Sequence, residues 1–183
     1  MKVFGICGSL REGSFNRKLL KIAVKFAREL GGEIADPDFS AVDLPVYNYD
    51  VQVKGFPPMV QKLKDQVEAA DLLLIASPEY NYSIPGGLKN AIDWISRGKN
   101  SLDGKVAAIF GASSGGLGTI RGQFALRLCL TSVNALILPQ PQVLVGNGDT
   151  AFNPDDSLKE PKIAEQLKEL IRASMDAAAK LKK

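Results

Sequence analysis

Short apolar runs alternate with longer segments of helical period along this chain of 183 residues. Lys2–Cys7 has the length and composition of a strand, and apolar residues then recur every three or four positions over 19–30, up to Gly31-Gly32. Two parallel strands need a crossover that returns over the sheet, and a helix is the usual crossover. The alternation therefore predicts an α/β fold: a doubly wound parallel sheet with helices on both faces.

The whole pattern predicts five strands and five helices in one domain, residues 1–183. After a weak second strand at 33–35, a turn-rich excursion occupies 43–58, and excursions of this length are often functional. Helices are predicted through 60, 63, 67 and 70, and over 86–97, 119–132 and 163–178. Strands are predicted between them at 72–77 and 105–112. The fifth strand is predicted at 135–138 and 142–145, with a break at Pro139 and Pro141. This set favours the flavodoxin-like strand order 2-1-3-4-5.

The chain contains no histidine. This excludes Ser-His-Asp and Cys-His catalytic arrangements, metal sites that use histidine, and any imidazole general base. We predict no metal site. An enzyme of this composition needs another group to move protons or electrons, and a bound cofactor is the first candidate.

The cysteines and the charge indicate the compartment and the class of partner. Cys7 and Cys129 lie far apart in apolar surroundings, which predicts buried thiols in a reducing compartment. The first apolar run is too short for a signal peptide, and no run has the length of a membrane span. The net charge of +3 equals the charge of the tail residues Lys180, Lys182 and Lys183, and no basic stripe with interleaved aromatic residues is present. We expect a cytoplasmic protein that contacts neither membrane nor nucleic acid.

In such a sheet ligands gather where the strands end, so the loops after strands 1, 3 and 4 form the candidate site. The first loop, residues 8–16, carries glycines, hydroxyls and Arg11 before a helix, as a phosphate site requires. The alternative is an ordinary turn with Ser14 or Asn16 as N-cap. The loop has no Walker A lysine, and the chain has no G-x-G-x-x-G pattern, so a mononucleotide remains.

The other two loops suit a planar ligand. Residues 78–87 hold two prolines and two glycines, and Tyr80 and Tyr82 supply flat faces, although either ring could instead cover the end of the sheet. Residues 112–119 are rich in small residues, which let a ligand approach the backbone closely, and successive N–H groups there can bind an anion. Three such loops at one edge indicate a ligand site more strongly than any one of them.

At these loops the chain resembles the NADPH-dependent FMN reductases, in particular the bacterial chromate and quinone reductase branch. The motifs that carry the resemblance are Gly8-Ser9-x-Arg11-x-x-Ser14-x-Asn16 and Pro78-Glu79-Tyr80-Asn81-x-Ser83-x-Pro85-Gly86-x-Leu88-Lys89-Asn90-Ala91-Ile92-Asp93-Trp94. The likeness extends over about residues 2–145. It implies a flavodoxin-like fold, non-covalent FMN, NADPH or NADH as electron donor, and a homodimer or homotetramer with the helix at 88–94 at the interface.

The resemblance also implies roles for individual residues. FMN would be held at its phosphate by Ser9, Arg11, Ser14, Phe15 and Asn16, along its isoalloxazine by Pro78, Glu79, Tyr80 and Asn81, and at the far edge by Ser113, Gly115 and Gly116. Tyr82 and Arg97 are candidates for contact with the substrate, and the alternative is a surface tyrosine and a helix-end arginine. No side chain is predicted to be catalytic, because the flavin carries the chemistry.

The activity implied by the resemblance is reduction of quinones by NAD(P)H, through ping-pong hydride transfer by bound FMN. Chromate, other metal oxyanions and azo compounds are further candidate acceptors. One alternative is a reductase that supplies free reduced flavin. Another is a non-enzymatic carrier of flavodoxin type, but those proteins have a threonine-rich phosphate loop and are strongly acidic.

Overall fold

A computed structural model describes residues 1–34 and 43–181. Within these ranges five strands form one parallel sheet in the order β2-β1-β3-β4-β5, which confirms the predicted flavodoxin-like topology. The strands are β1 (Lys2–Cys7), β2 (Glu33–Ile34), β3 (Leu72–Ala76), β4 (Val106–Ala112) and β5 (Val143–Val145). Ala35 of the predicted second strand and the tail residues Lys182 and Lys183 lie outside the described residues.

The helices of the same ranges include all five that were predicted. They are α1 (Phe15–Glu29), α2 (Tyr49–Gln52), α3 (Pro58–Ala69), α4 (Gly86–Ile95), α5 (Ile120–Ser132), α6 (Gly148–Ala151) and α7 (Pro161–Leu181). The short helices α2 and α6 were not predicted, because a single turn has no hydrophobic periodicity to detect. No helix in the described part of the chain is long and apolar enough to span a bilayer.

Helices cover both faces of the sheet, as predicted. Alternate residues of the central strands pack with α1 and α7 on one face and with α3, α4 and α5 on the other. Every residue of β3 and β4 is buried. A strand that is buried on both faces is apolar at every position and does not alternate between apolar and polar residues. The sequence showed this continuous apolar pattern for both strands.

The central strands end nearly in register. Cys7 pairs with Ala76, and Ala76 pairs with Phe110. Beyond these pairs the N–H of Gly8 donates to the carbonyl of Ala76 at 2.8 Å, and the N–H of Ser77 donates to the carbonyl of Phe110 at 2.9 Å. The loops after β1, β3 and β4 therefore leave the sheet together at its carboxyl edge.

The fifth strand is shorter than its prediction. Leu136 makes only an isolated parallel bridge to Val106, and β5 itself begins at Val143. The peptide bond before Pro141 is cis. The predicted break at the prolines is therefore present, because proline has no N–H to donate to a sheet.

The excursion at 43–58 lies along the outer side of α4. Trp94 Nε1 donates to the carbonyl of Pro45 at 2.7 Å, and Asn90 accepts from the N–H of Tyr47 at 2.8 Å. Asn90 Nδ2 also donates to the carbonyl of Pro45 at 3.0 Å. At Asn90 and Trp94 the side of α4 that was expected at a subunit interface is thus covered by the chain's own residues.

The two cysteines differ in exposure. Cys7 is buried as predicted, but Cys129 is only half-buried, so the prediction of two buried thiols was wrong for Cys129. Apolar neighbours in sequence did not imply burial there, since α5 also exposes Phe124 and Leu128. Both thiols are free.

Gly111 is required where β4 meets the residues before α5. A Cβ at this position would lie 2.2 Å from Thr119 Oγ1 and 2.3 Å from the carbonyl oxygen of Ser77. We predict that Gly111→Ala lowers the free energy of unfolding by about 3 kcal/mol, because a backbone oxygen cannot move aside. The measurement is urea unfolding. Gly13→Ala is the matched control, since a Cβ there meets nothing within 4 Å; equal losses in the two variants would contradict the prediction.

Candidate active site at the carboxyl edge of the sheet

The first loop leads from β1 into the N-terminus of α1. Ser14 is the N-cap, and its hydroxyl accepts from the N–H of Arg17 at 3.3 Å. The N–H groups of Phe15 and Asn16, in the first turn, have no acceptor within the helix. The Ser9 and Ser14 side chains are buried beside them, while Arg11 is exposed. N–H groups, hydroxyls and one cation at a helix N-terminus fit a phosphate.

The aromatic ring of Phe15 packs against the guanidinium of Arg11. The Arg11 guanidinium carbon lies 4.9 Å from the centre of the Phe15 ring. Phe15 in turn stacks on Phe152, with ring centres 6.2 Å apart, and sits on Gly148, where a Cβ would lie 2.5 Å from the ring. The ring is therefore held by the protein, and the N–H is the part of Phe15 that is open to a ligand.

The side chain of Asn16 joins α1 to β4. Its Nδ2 donates to the carbonyl of Ala112 at 2.8 Å, and its Oδ1 accepts from the N–H of Ala112 at 2.9 Å. Both ends of the amide are thus used at a buried position. Asn16 fixes the first loop relative to the loop after β4, and its main-chain N–H is the group it has left for a ligand.

The second loop contains a tight hairpin. Tyr80 and Ser83 exchange two main-chain hydrogen bonds of 3.0 and 2.9 Å, and the two residues between them, Asn81 and Tyr82, are left-handed with φ of 48° and 66°. Left-handed residues other than glycine are uncommon and concentrate at functional sites. The Tyr80 and Tyr82 side chains stay 51% and 70% exposed, so neither ring covers the end of the sheet.

Glu79 fastens this hairpin to α5. Its Oε2 accepts from the N–H groups of Arg121 and Gly122, both at 2.9 Å, and its Oε1 lies 2.7 Å from Arg121 Nε and Nη2. The guanidinium carbon of Arg121 lies 3.7 Å from the centre of the Tyr82 ring. Arg121 is thus held between a carboxylate and an aromatic face, and Glu79 has only its main chain left for a ligand.

These contacts set the ionisation of Glu79. Burial favours the neutral acid, but the N–H of Gly122 and the guanidinium and N–H of Arg121 outweigh it, so the pKa of Glu79 lies below its ordinary value of 4.5. Near the first loop the effect is opposite. Burial raises the pKa of the Cys7 thiol, which is therefore neutral at pH 7.

The third loop is closed by Ser113. Its hydroxyl lies 2.6 Å from the carbonyl oxygen of Gly118 and 3.1 Å from that of Gly115. The N–H of Asn147, after β5, donates to the carbonyl of Gly115 at 3.1 Å. Gly115 and Gly116 are exposed, so a ligand at this edge would meet their peptide groups.

The structure brings the twelve predicted cofactor residues and Tyr82 to one edge, but not Arg97. Arg97 follows α4, whose 10 residues carry the chain about 15 Å back across the sheet. There its Nε donates to the carbonyl of Asp93 at 3.1 Å and its guanidinium lies over the ring of Tyr47. Arg97 is therefore a helix-end residue.

Sequence reasoning missed the residues that hold the loops in place. Arg121, Gly122, Gly148 and Phe152 belong to no predicted motif. An acid three residues after a buried strand indicates that some partner exists, but the partner of Glu79 lies 42 residues further along the chain. No local spacing could identify it.

Comparison with known proteins gives consistent matches. The family model described as NADPH-dependent FMN reductase matches residues 1–150. An NAD(P)H-dependent FMN reductase of Pseudomonas aeruginosa is 43% identical, with 94% of this chain and 92% of that protein covered. An NAD(P)H:quinone oxidoreductase of Solanum tuberosum is 40% identical over 100% of this chain and 95% of its own length. The solved structure of FerB, a flavoenzyme NAD(P)H:(acceptor) oxidoreductase from Paracoccus denitrificans, has a TM-score of 0.85 at 36% identity, covering 98% and 97% of the two chains.

Glu79→Gln tests the attachment of the hairpin. We expect a loss of about 2 to 3 kcal/mol in the free energy of unfolding at neutral pH, because charge-assisted hydrogen bonds are removed from a side chain only 7% exposed. A carboxyl whose pKa is lowered by folding stabilises above its unfolded pKa and loses that effect as the pH falls through its folded pKa. The difference from wild type should therefore shrink as the pH is lowered from about 7 towards about 3.

Urea unfolding across that pH range is the measurement. Glu165→Gln, at an exposed position on α7, is the control and should leave stability nearly unchanged. A pH-independent loss in Glu79→Gln would contradict the assignment, because it would mean that the charge of Glu79 is not what holds the hairpin.

Proposed function

The chain belongs to the NADPH-dependent FMN reductase family, and we propose that its electron acceptors are quinones. Membership confirms the resemblance read from the loop motifs, and with it an FMN-dependent oxidoreductase that uses NAD(P)H. The quinone acceptor is supported by the Solanum tuberosum relative, which is named for quinone reduction, and FMN binding is supported by the carboxyl edge itself. A phosphate-type helix N-terminus, a rigid hairpin with exposed rings and a glycine loop converge there, as a flat phosphate-bearing cofactor requires.

We assign the cofactor contacts as follows. The phosphate would meet the N–H groups of Phe15 and Asn16, the hydroxyls of Ser9 and Ser14, and the guanidinium of Arg11, whose position is supported by the Phe15 ring. The ring system would lie along Pro78, the main chain of Glu79, Tyr80 and Asn81, with Ser113, Gly115 and Gly116 at its far edge. The fit is supported by open peptide groups on exposed glycines and in a first helical turn.

Bound FMN supplies a ring that accepts a hydride and passes the electrons on. The chain's own residues bind and orient. The double hydrogen bond between Tyr80 and Ser83 and the anchoring of Glu79 hold the hairpin in one shape, so little ordering remains to be done when a ligand binds. This chemistry does not need a side chain that donates a proton with a pKa like that of histidine, which is consistent with a chain that has no histidine.

Tyr82 remains our candidate for contact with the substrate, now with Arg121 instead of Arg97. The Tyr82 ring is exposed and has the Arg121 guanidinium on one face. A ring and a cation side by side suit a planar quinone, whose oxygens gain negative charge on reduction, and also the anionic nicotinamide dinucleotide. Metal oxyanions such as chromate, and azo compounds, are further acceptors under this proposal.

Free flavin is the second candidate acceptor. It is favoured by the Pseudomonas aeruginosa relative, which is named for FMN reduction and covers nearly the whole chain. In that case the product would be reduced flavin released to solution rather than a reduced quinone.

The decisive experiment is anaerobic reduction of the FMN-loaded protein. We expect NADPH or NADH to bleach the flavin absorbance and a stoichiometric quinone to restore it without forming a ternary complex. Parallel arms with free FMN, chromate and an azo dye, at matched donor concentrations, rank the acceptors by kcat/KM. Protein that does not take up FMN, or that is not bleached, would refute the proposal; bleached protein that only free FMN reoxidises would establish the second candidate.

Arg11→Ala tests the phosphate assignment. We predict that the variant binds FMN about 10- to 100-fold more weakly, because charge-assisted hydrogen bonds contribute about 1.5–3 kcal/mol, and that riboflavin binding is unchanged, because riboflavin has no phosphate. Fluorescence titration of both flavins is the measurement. Arg28→Ala, an exposed arginine in the last turn of the same helix, is the control and should bind both flavins like wild type. Equal weakening of the two flavins in Arg11→Ala would mean that Arg11 does not contact the phosphate.

We also propose that the protein assembles as a homo-oligomer in the cytoplasm. The segment that covers α4 exposes Val46 (83%), Tyr49 (64%) and Val53 (61%) although its backbone is fastened to Asn90 and Trp94, and Met59 (61%) is exposed next to it in the first turn of α3. An ordered apolar surface of this kind supports a contact between subunits. Two free thiols support a reducing compartment.

A further inference from the structure

We propose that a groove on the outer side of α1, separate from the three loops of the carboxyl edge, binds a small aromatic anion. The groove lies between α1 and the segment 155–158, and Ala164 of α7 also lines it. Its volume is about 480 Å³, within the range of small-molecule sites. It shares no lining residue with the three loops assigned to FMN, so the inference stands apart from the proposed function.

The floor of the groove is apolar and not fully covered. Ile22 and Phe26, one turn apart on α1, face Leu158 and Ala164 across it. Ile22, Phe26 and Leu158 pack against the core cluster from outside yet stay only partly buried. A flat apolar body placed here would cover these side chains, which solvent otherwise reaches.

Two of the three lysines at the groove have no acidic partner among the residues that the structure describes. Lys18 is paired with Asp156. Asp155 is held by Ser157, whose N–H and hydroxyl donate to it at 3.0 and 2.6 Å. Lys21 and Lys25 form no ion pair with any residue that the structure describes, although Asp155 acts on Lys25 from a distance.

The position of these two lysines sets the chemistry of the ligand. Lys21 and Lys25 lie one turn apart, about 5–6 Å between their Cβ atoms, and border the same apolar floor. The acidic residue of α1 is Glu29, one turn beyond Lys25, and its carboxylate is paired with Lys168 of α7 at 2.9 Å. A ligand that places one carboxylate or sulfonate between the two ammonium groups and an aromatic body on Ile22, Phe26 and Leu158 would use both the charged border and the apolar floor of the groove.

The test uses FMN-loaded protein and two probes of the same shape, 2-naphthoate and the neutral 2-naphthamide. We expect isothermal titration calorimetry to show one naphthoate site per chain and weaker binding of naphthamide by about tenfold. The double variant Lys21→Gln/Lys25→Gln should lose about tenfold in naphthoate affinity and leave naphthamide unchanged. The control Lys54→Gln/Lys62→Gln changes the net charge equally at exposed positions elsewhere and should bind both probes like wild type.

A second variant, Ala164→Phe, fills the groove without changing its charge and should abolish binding of both probes. The proposal is overturned if naphthoate binds the Lys21/Lys25 variant like wild type, which would place the probe at the flavin edge, or if the two probes bind equally. It is also overturned if the Lys54/Lys62 control loses as much affinity, which would mean attraction by net charge alone. Retained FMN absorbance and an unchanged thermal midpoint show that each variant is folded.

Discussion

The burial of β1, β3 and β4 on both faces is the constraint on which the remaining structure depends. The inner strands of the sheet are enclosed by helices, and a polar side chain placed there would lose its water without gaining a partner. Polar groups are therefore confined to the strand ends and the helix surfaces. Since parallel strands all end at one edge, this confinement also gathers the polar loops of the chain at a single place.

Three attachments make a defined surface from these loops. The amide of Asn16 ties the N-terminus of α1 to the end of β4, the carboxylate of Glu79 ties the hairpin to α5, and the hydroxyl of Ser113 closes its own loop. Each attachment uses a side chain that the motifs alone place at the ligand. Under the proposed function, these residues would act on the cofactor largely by fixing the backbone that meets it, which lowers the ordering needed on binding.

Helix α1 shows how one element serves several purposes. Its inner face carries buried apolar residues against the sheet, and its N-terminus has free N–H groups, to which we assign the phosphate. The outer face carries lysines that neither purpose requires. A column of stacked side chains runs from the phosphate loop towards the groove beside those lysines: Arg11, Phe15, Phe152 and Lys18. Whatever occupies the groove therefore lies close to the cofactor edge without sharing its residues.

The sequence by itself determined the sheet order, the five main helices and the edge at which the candidate loops meet. These follow from periodicity and from the position of glycine, proline and hydroxyl residues after strands, which are local properties. It could not reveal the single-turn helices, and it overestimated the burial of Cys129.

Only the tertiary structure decided which side chains meet at that edge. It joined Glu79 to Arg121 across 42 residues, and it turned the rings of Tyr80 and Tyr82 outward. It also moved Arg97 away, although Arg97 follows the most diagnostic motif closely in sequence, because a helix carries the chain back across the sheet. Sequence neighbours share an edge only while the chain remains in one loop, and contacts between loops depend on the packing of the elements that separate them.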